Sequence, residues 1–247
     1  MENRALKLTP SLIDVFESCP RRYWYLYEPD SPQVPRRISW QLSFGTSLHE
    51  AMKEIYFLGG PPQVPLSSLS QILEKCWHRE GFTDESLERE RKLRALEILE
   101  NYIEGNRSRP VMTLGLEKQL SASIEGVNFL AKIDRLDLLR PGLLIVDYKT
   151  GQGALSDNQL LISFLVVLFN YKSPSDRPVK FMLLNLERGE EKIIDLEEEK
   201  AFARISHYKN IRDQIIQREF PPNPSVFTCR YCEAGNICSF ARKWERE

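Results

Sequence analysis

The sequence predicts an α/β fold, and three observations predict it. Apolar residues recur at helical spacing over 45–57, 66–79 and 85–107. From Thr113 the period changes towards two, and strand-like segments follow as far as Lys149. Within that stretch the continuous apolar run Leu143-Leu144-Ile145-Val146 reads as a buried strand. Helices and strands therefore share one chain of 247 residues, enough for one large domain or a domain with an appendage. Hydrophobic residues make up 42% and charged ones 28%, the proportions of a protein that buries a core. The formal net charge of −1 excludes a molecule-wide attraction to nucleic acid, so any such binding has to come from local basic patches. No apolar stretch reaches the ~18 residues of a membrane span. The opening Met1-Glu2-Asn3-Arg4 leads into no apolar signal stretch, and the expectation is a cytoplasmic protein without a membrane partner.

Taken in order, Thr9 caps a helix that has Pro10 at its first position, and Ile13 and Phe16 share one of its faces. Pro20 stops this helix just after Cys19. The next residues, Arg21-Arg22-Tyr23-Trp24-Tyr25-Leu26-Tyr27, interleave basic and aromatic side chains, a composition that suits single-stranded nucleic acid. Most of these aromatics are expected in the core, which leaves Arg21 and Arg22 as the candidate DNA contacts. A Pro-rich loop runs from Pro29 to Pro35, and Arg36-Arg37 continue the basic character. Phe44, Leu48, Ala51, Met52 and Ile55 make an amphipathic helix over 45–57, with His49 one place round from Leu48. A turn-rich linker, Gly59 to Pro65, precedes the helices expected over 66–79 and 85–107. Cys76 lies on the apolar face of the first and reads as a core residue. The charged run 85–94 reads as a solvated face.

Leu114 to Ile124, the turn Glu125-Gly126 and Val127 to Leu139 then form a hairpin. Arg140-Pro141-Gly142 turns into a third strand that ends in Asp147-Tyr148-Lys149. Asp134 lies in the second strand, and Asp137, at odd separation, is expected to face the other side of the sheet. A helix over 155–171, strands over 179–186 and 192–196 around Arg188-Gly189, and one long helix over 197–218 complete the expected elements.

Two groups of residues carry chemistry. Asp147 and Lys149 are two apart at a strand end, so their side chains emerge on one face. A carboxylate can hold a divalent cation and a lysine beside it can orient or deprotonate a water, a pair suited to metal-assisted hydrolysis of a phosphodiester. The same pair alone reads more readily as a strand-end salt bridge, because Asp-x-Lys is common by chance. The second group is Cys229, Cys232 and Cys238, packed tightly enough to signal a metal, with Cys19 the best candidate for a fourth ligand. The spacing fits a four-cysteine zinc site and an iron–sulfur cluster alike.

Taken together, the strand-end Asp147-Tyr148-Lys149, the earlier strand Asp134 and the helical Gly45-Thr46-Ser47-Leu48-His49-Glu50-Ala51 resemble the PD-(D/E)xK nuclease superfamily, and within it the RecB-type branch. An N-terminal Cys followed by Pro, joined to a C-terminal cysteine triplet, is similar to the iron–sulfur members, among them the AddB nuclease domain and the CRISPR-associated adaptation exonucleases. The resemblance implies a single nuclease domain over 1–247 with a restriction-endonuclease-like core. In it a mixed central sheet is flanked by helices, a helical insertion covers about 60–110, and the segment 220–247 binds a cluster that joins the termini. It implies that His49, Asp134, Asp147 and the Tyr148 carbonyl bind Mg²⁺ or Mn²⁺ and that Lys149 positions or activates the attacking water. Gln159 matches the glutamine that follows the catalytic strand in this branch, whereas the tyrosine often found four residues later is replaced by Ser163. Cys19, Cys229, Cys232 and Cys238 would hold a 4Fe–4S cluster. The implied activity is an exonuclease acting on single-stranded DNA ends, in CRISPR adaptation or DNA repair, with adaptation integrase proteins as candidate partners. Two other readings stand beside it: a non-catalytic DNA-binding or scaffolding subunit of the same fold, and a nuclease stapled by zinc.

Overall fold

The computed structural model describes residues 6–35, 38–151, 155–171 and 178–241, so Arg36 and Arg37 lie outside the described residues. A short strand β1 (Lys7–Leu8) leads into helices α1 (Pro10–Ser18), α2 (Pro20–Tyr27), α3 (Trp40–Phe57), α4 (Leu69–Cys76) and α5 (Glu85–Asn106). Strands β2 (Met112–Ile124), β3 (Val127–Leu139) and β4 (Gly142–Lys149) follow, then α6 (Asp157–Tyr171), β5 (Val179–Asn185) and β6 (Glu190–Asp195). Helices α7 (Glu198–Ala203), α8 (Ile205–Ile216) and α9 (Val226–Arg230) close the chain.

Local chemistry sets several of these boundaries. Thr9 caps α1 by accepting a hydrogen bond from the Leu12 N–H at 3.2 Å. Pro20 ends α1 as expected, but it also occupies the first position of α2, where its missing N–H costs nothing. The 66–79 segment begins as a 3₁₀ turn over Leu66–Ser68 and is helical only to Cys76. The single long helix expected over 197–218 is two helices, because the Arg204 N–H turns back to the Ala201 carbonyl at 3.3 Å and closes α7.

The six strands form one mixed sheet in the order β1-β3-β4-β5-β6, with β2 paired to β3. Pairing is antiparallel for β2–β3, β3–β4 and β5–β6, and parallel for β1–β3 and β4–β5. Along one edge β3 is covered by β2. Along the other it forks, meeting β4 over Arg135–Leu139 and β1 at Asn128–Phe129. Helices cover both faces. Leu8, Ile13, Phe129, Ile145, Phe164, Phe181 and Tyr208 build one core, and Leu48, Ile55, Leu73, Leu99, Val146 and Met182 build the other. The second core contains Ile72, Leu73 and Cys76 of α4 and Ile98, Leu99 and Ile103 of α5. The helical segment expected over about 60–110 covers one sheet face, and Cys76 is a core residue.

Candidate active site

The fork in the sheet positions the acidic residues. The β3–β4 ladder ends at the pair Arg135–Val146, and Asp134 and Asp147 stand one step beyond it. In place of a backbone partner, the Tyr148 N–H donates to Asp134 Oδ2 at 2.9 Å. The alternation of β3 breaks at the same place, since Ile133 and Leu136 both point into the first core. Opposite this break, Glu117 of β2 has a left-handed backbone, φ 50°.

Helix α3 brings His49 to the same point. It runs so close to the end of β4 that a Cβ on Gly45 would stand 3.0 Å from Thr150 Oγ1, so a larger residue there would push the helix away. One turn on, His49 Nδ1 lies 3.4 Å from Asp134 Oδ2, and its ring meets the Tyr148 ring edge-on at 5.7 Å. Burial disfavours the charged imidazole, but the hydrogen bond and charge of Asp134, with Asp147 and Glu117 behind, raise its pKa above the ordinary histidine value. Ligand atoms of His49, Glu117 and Asp134 all lie within 4.8 Å of one another, close enough to converge on one cation. A cavity with about 550 Å³ of space opens over them, lined by His49, Glu117, Tyr148 and Lys149, with Lys53 and Lys132 at its walls.

Asp147 is turned towards α6. Its Oδ1 accepts from Gln159 Nε2, and Gln159 Oε1 in turn accepts from Lys149 Nζ at 3.0 Å. One glutamine thus fixes both the carboxylate and the ammonium. Lys149 Nζ also lies 2.9 Å from Asp147 Oδ2, yet that buried oxygen has no well-directed donor, so the contact is an ion pair without a good hydrogen bond. An incompletely satisfied buried carboxylate beside a histidine and two further carboxylates is a donor set that fits a divalent cation. Burial first, and then Asp134, push the Asp147 carboxyl up to about 6, with Lys149 opposing.

That shift has a consequence for stability. A carboxyl whose folded pKa is raised favours the folded state while protonated and loses that contribution as pH rises through about 6. At neutral pH the ionised Asp147 therefore destabilises the metal-free protein. Asp147→Asn is expected to raise the melting temperature of the metal-free protein at pH 7.5 and to raise it distinctly less at pH 5, where part of the contribution remains. Differential scanning calorimetry at the two pH values checks this, and equal shifts at both would remove the electrostatic explanation.

Beneath the site lies a polar network that sequence reasoning missed. Arg135 is only 2% exposed. Its Nε donates to Asp137 Oδ2 at 2.9 Å and its Nη1 to the Tyr148 hydroxyl at 2.9 Å, while the guanidinium sits 3.9 Å from the centre of the Tyr56 ring. Thr113 Oγ1 donates to Asp137 Oδ1 at 2.9 Å. Asp137 is thus held by Arg135 and Thr113 and takes no part in the group around His49, and because the alternation of β3 breaks at Asp134 the odd separation does not put it on the opposite face of the sheet.

The four cysteines outside the core come together around a separate cavity. Cys19, Cys229, Cys232 and Cys238 line one cavity, and all are free thiols. The Asn223 N–H donates to Cys19 Sγ at 3.3 Å. Burial pushes the Cys232 thiol up. Arg21 and Arg22 line this cavity too, and neither lines the cavity around His49. Arg22 forms a bidentate pair with Glu233, both bonds at 2.8 Å, while Arg21 lies 4.2 Å over the Trp24 ring with its Nε buried and unpartnered. Tyr23 and Tyr25 are buried, in keeping with the expectation that most aromatics of this stretch pack inside.

Glu117 is the other residue that sequence reasoning passed over, although the signal was present. A two-residue turn at Glu125-Gly126 sets Ile124 against Val127, and counting seven residues back along both strands brings Glu117 opposite Asp134.

A mixed sheet covered by helices on both faces, with acidic residues and a lysine at the end of a central strand, defines a site of the kind that hydrolyses phosphodiesters with a divalent cation. The chain belongs to the PD-(D/E)XK nuclease superfamily, whose sequence model matches residues 7–239. No curated protein matches the chain. Among solved structures, the chain is similar in fold to a candidate exonuclease from Eubacterium rectale, with a TM-score of 0.56, 13% identity, and 97% of this chain and 91% of that one covered. It also matches SSO0001, with a TM-score of 0.34, 14% identity, and 87% of this chain and 91% of that one covered. No helix among the described residues is long and apolar enough to cross a membrane.

Proposed function

We propose that this protein is a Mg²⁺- or Mn²⁺-dependent deoxyribonuclease that degrades single-stranded DNA from its ends. The observation that carries this reading is the joint placement of His49, Glu117, Asp134 and the Asp147–Lys149–Gln159 unit around the end of β4, where His49, Glu117 and Lys149 line an open cavity. His49, Asp134, Asp147 and the Tyr148 carbonyl are the residues that would hold the cation. When bound, it polarises the scissile phosphate and stabilises charge on the leaving oxygen. Lys149 orients the attacking water through its ammonium, and Gln159 keeps that ammonium aimed while holding Asp147. Lys53 and Lys132 on the cavity wall draw in the phosphate backbone.

The reading extends to a structural 4Fe–4S cluster on Cys19, Cys229, Cys232 and Cys238. All four cysteines line one cavity, and the resemblance to the iron–sulfur members favours the cluster over zinc. The unpartnered Nε of Arg21 in the same cavity favours an anionic occupant. By this reading the whole chain, 1–247, is one nuclease domain whose termini the cluster joins. It works in the cytoplasm in CRISPR adaptation or DNA repair, beside adaptation integrase proteins, and the family resemblance carries that assignment.

The activity is tested with end-labelled linear single strands, covalently closed single-stranded circles and blunt duplexes, each with Mn²⁺. Linear single strands should be shortened progressively while circles survive. Rapid loss of the circles would refute action from ends.

The cluster has its own test. Cys19 and Cys229 lie 210 positions apart, so shared ligation closes most of the chain into one loop, a restraint worth about 5 kcal/mol by the chain-entropy estimate. Cys19→Ala should lose the iron, the acid-labile sulfide and much of the thermal stability, whereas Cys76→Ala should keep the iron. Zinc in place of iron in the purified protein would refute the cluster.

A further inference from the structure

Glu117 has a position and a partner that a strand-surface glutamate does not need. Its carboxylate is within 4.8 Å of ligand atoms of both His49 and Asp134. Its side chain is 12% exposed, and its ion-pair partner is Lys132 Nζ, on a side chain that is 58% exposed. Its backbone is left-handed, φ 50°, a conformation that glycine holds freely and a residue with a Cβ holds at a cost. A solvated lysine thus balances a nearly buried carboxylate that lies close to a second carboxylate. A divalent cation placed among His49, Glu117 and Asp134 would balance the same charges better, and would compete with the lysine for Glu117.

We propose that Glu117 is a ligand of the divalent cation and that Lys132 is its placeholder in the metal-free protein, displaced when the cation binds. The proposal rests on the nuclease reading for the existence of the cation site, and adds to that site a residue from a third strand.

Isothermal titration of the full chain with Mn²⁺, without DNA, tests it. Glu117→Gln keeps the shape and the hydrogen-bonding capacity but removes the charge, and should weaken Mn²⁺ binding at least about tenfold. Lys132→Met should tighten it about two- to fivefold, the range of one partly exposed ion pair. In the Glu117→Gln background Lys132→Met should change nothing. Glu117→Gly guards against misfolding as an explanation. Glycine relieves the left-handed backbone, so this variant should melt no lower than the wild type and yet lose Mn²⁺ affinity as Glu117→Gln does. If the wild type binds Mn²⁺ and Glu117→Gln binds it equally well, or if Lys132→Met weakens binding, Glu117 is only a salt-bridge partner and the nuclease reading stands without it. If the wild type binds neither Mn²⁺ nor Mg²⁺, both readings fall.

Discussion

Arg135→Met is expected to lower the unfolding free energy by about 3–5 kcal/mol, the usual cost of removing one partner from a buried ion pair. The guanidinium is almost fully enclosed, and it satisfies Asp137, Tyr148 and Tyr102 at once while lying over the Tyr56 ring. Removing it strands Asp137, whose carboxyl burial already pushes up in spite of Arg135 and Thr113. For a chain of this size such a loss corresponds to roughly 10 °C in melting temperature. Arg135→Lys should recover little, because one ammonium cannot reproduce the planar fork or its stacking on Tyr56. A control separates packing from charge. Arg135→Met with Asp137→Leu removes both charges and should be clearly more stable than Arg135→Met alone, since a buried pair replaced by apolar groups is often close to neutral. Urea denaturation of the three proteins gives the comparison. A loss under 1 kcal/mol in Arg135→Met would mean that the network supports nothing.

The second large effect falls on the chemical step. Lys149→Ala should reduce the rate of DNA cleavage by about 100- to 1,000-fold, the range for removing one preorganised donor at the reacting atoms. Asp134, His49 and Glu117 do not depend on Lys149 for their placement, so Mn²⁺ binding should persist. The Lys53 and Lys132 side chains remain on the cavity wall, so DNA affinity should fall only slightly. Gln159→Ala should show a milder form of the same defect, because Lys149 keeps its ion pair with Asp147 but loses the acceptor that aims it. Single-turnover cleavage measured beside filter binding separates the two effects. Loss of DNA binding in step with loss of rate would make Lys149 a binding residue.

Much of this site can be read in the sequence because its parts are local. Asp147 and Lys149 are neighbours on one strand, and the expected strand over 127–139 has the bounds found, since the alternation and the Glu125-Gly126 turn define it without help from the rest of the fold. His49 is different. A helical histidine carries no periodic signal, and its role came from resemblance to a family motif. Glu117 was hidden because it takes the register of a hairpin to set it against Asp134 and the three-dimensional fold to set both against α3. Arg135 was hidden for the opposite reason. A charged residue in a strand reads as solvent-facing, and it takes Asp137 together with the tyrosines of α3, α5 and β4 to make a buried position tolerable for it. The break at Arg204 left no mark on the helical periodicity of 197–218, since a single tight turn barely shifts the phase of the apolar positions.

The account stands most directly on one measurement, the digestion of a 5′-labelled single-stranded oligonucleotide by the purified protein after chelation and after readdition of Mn²⁺ or Mg²⁺, alongside Asp134→Ala. The wild type should be inactive after chelation and recover on readdition. Asp134→Ala should remain inactive at every metal concentration, because Asp134 is the carboxylate that contacts both His49 and the Tyr148 backbone. Cleavage that survives chelation, or an Asp134→Ala protein that cuts like the wild type, would contradict the assignment of this site.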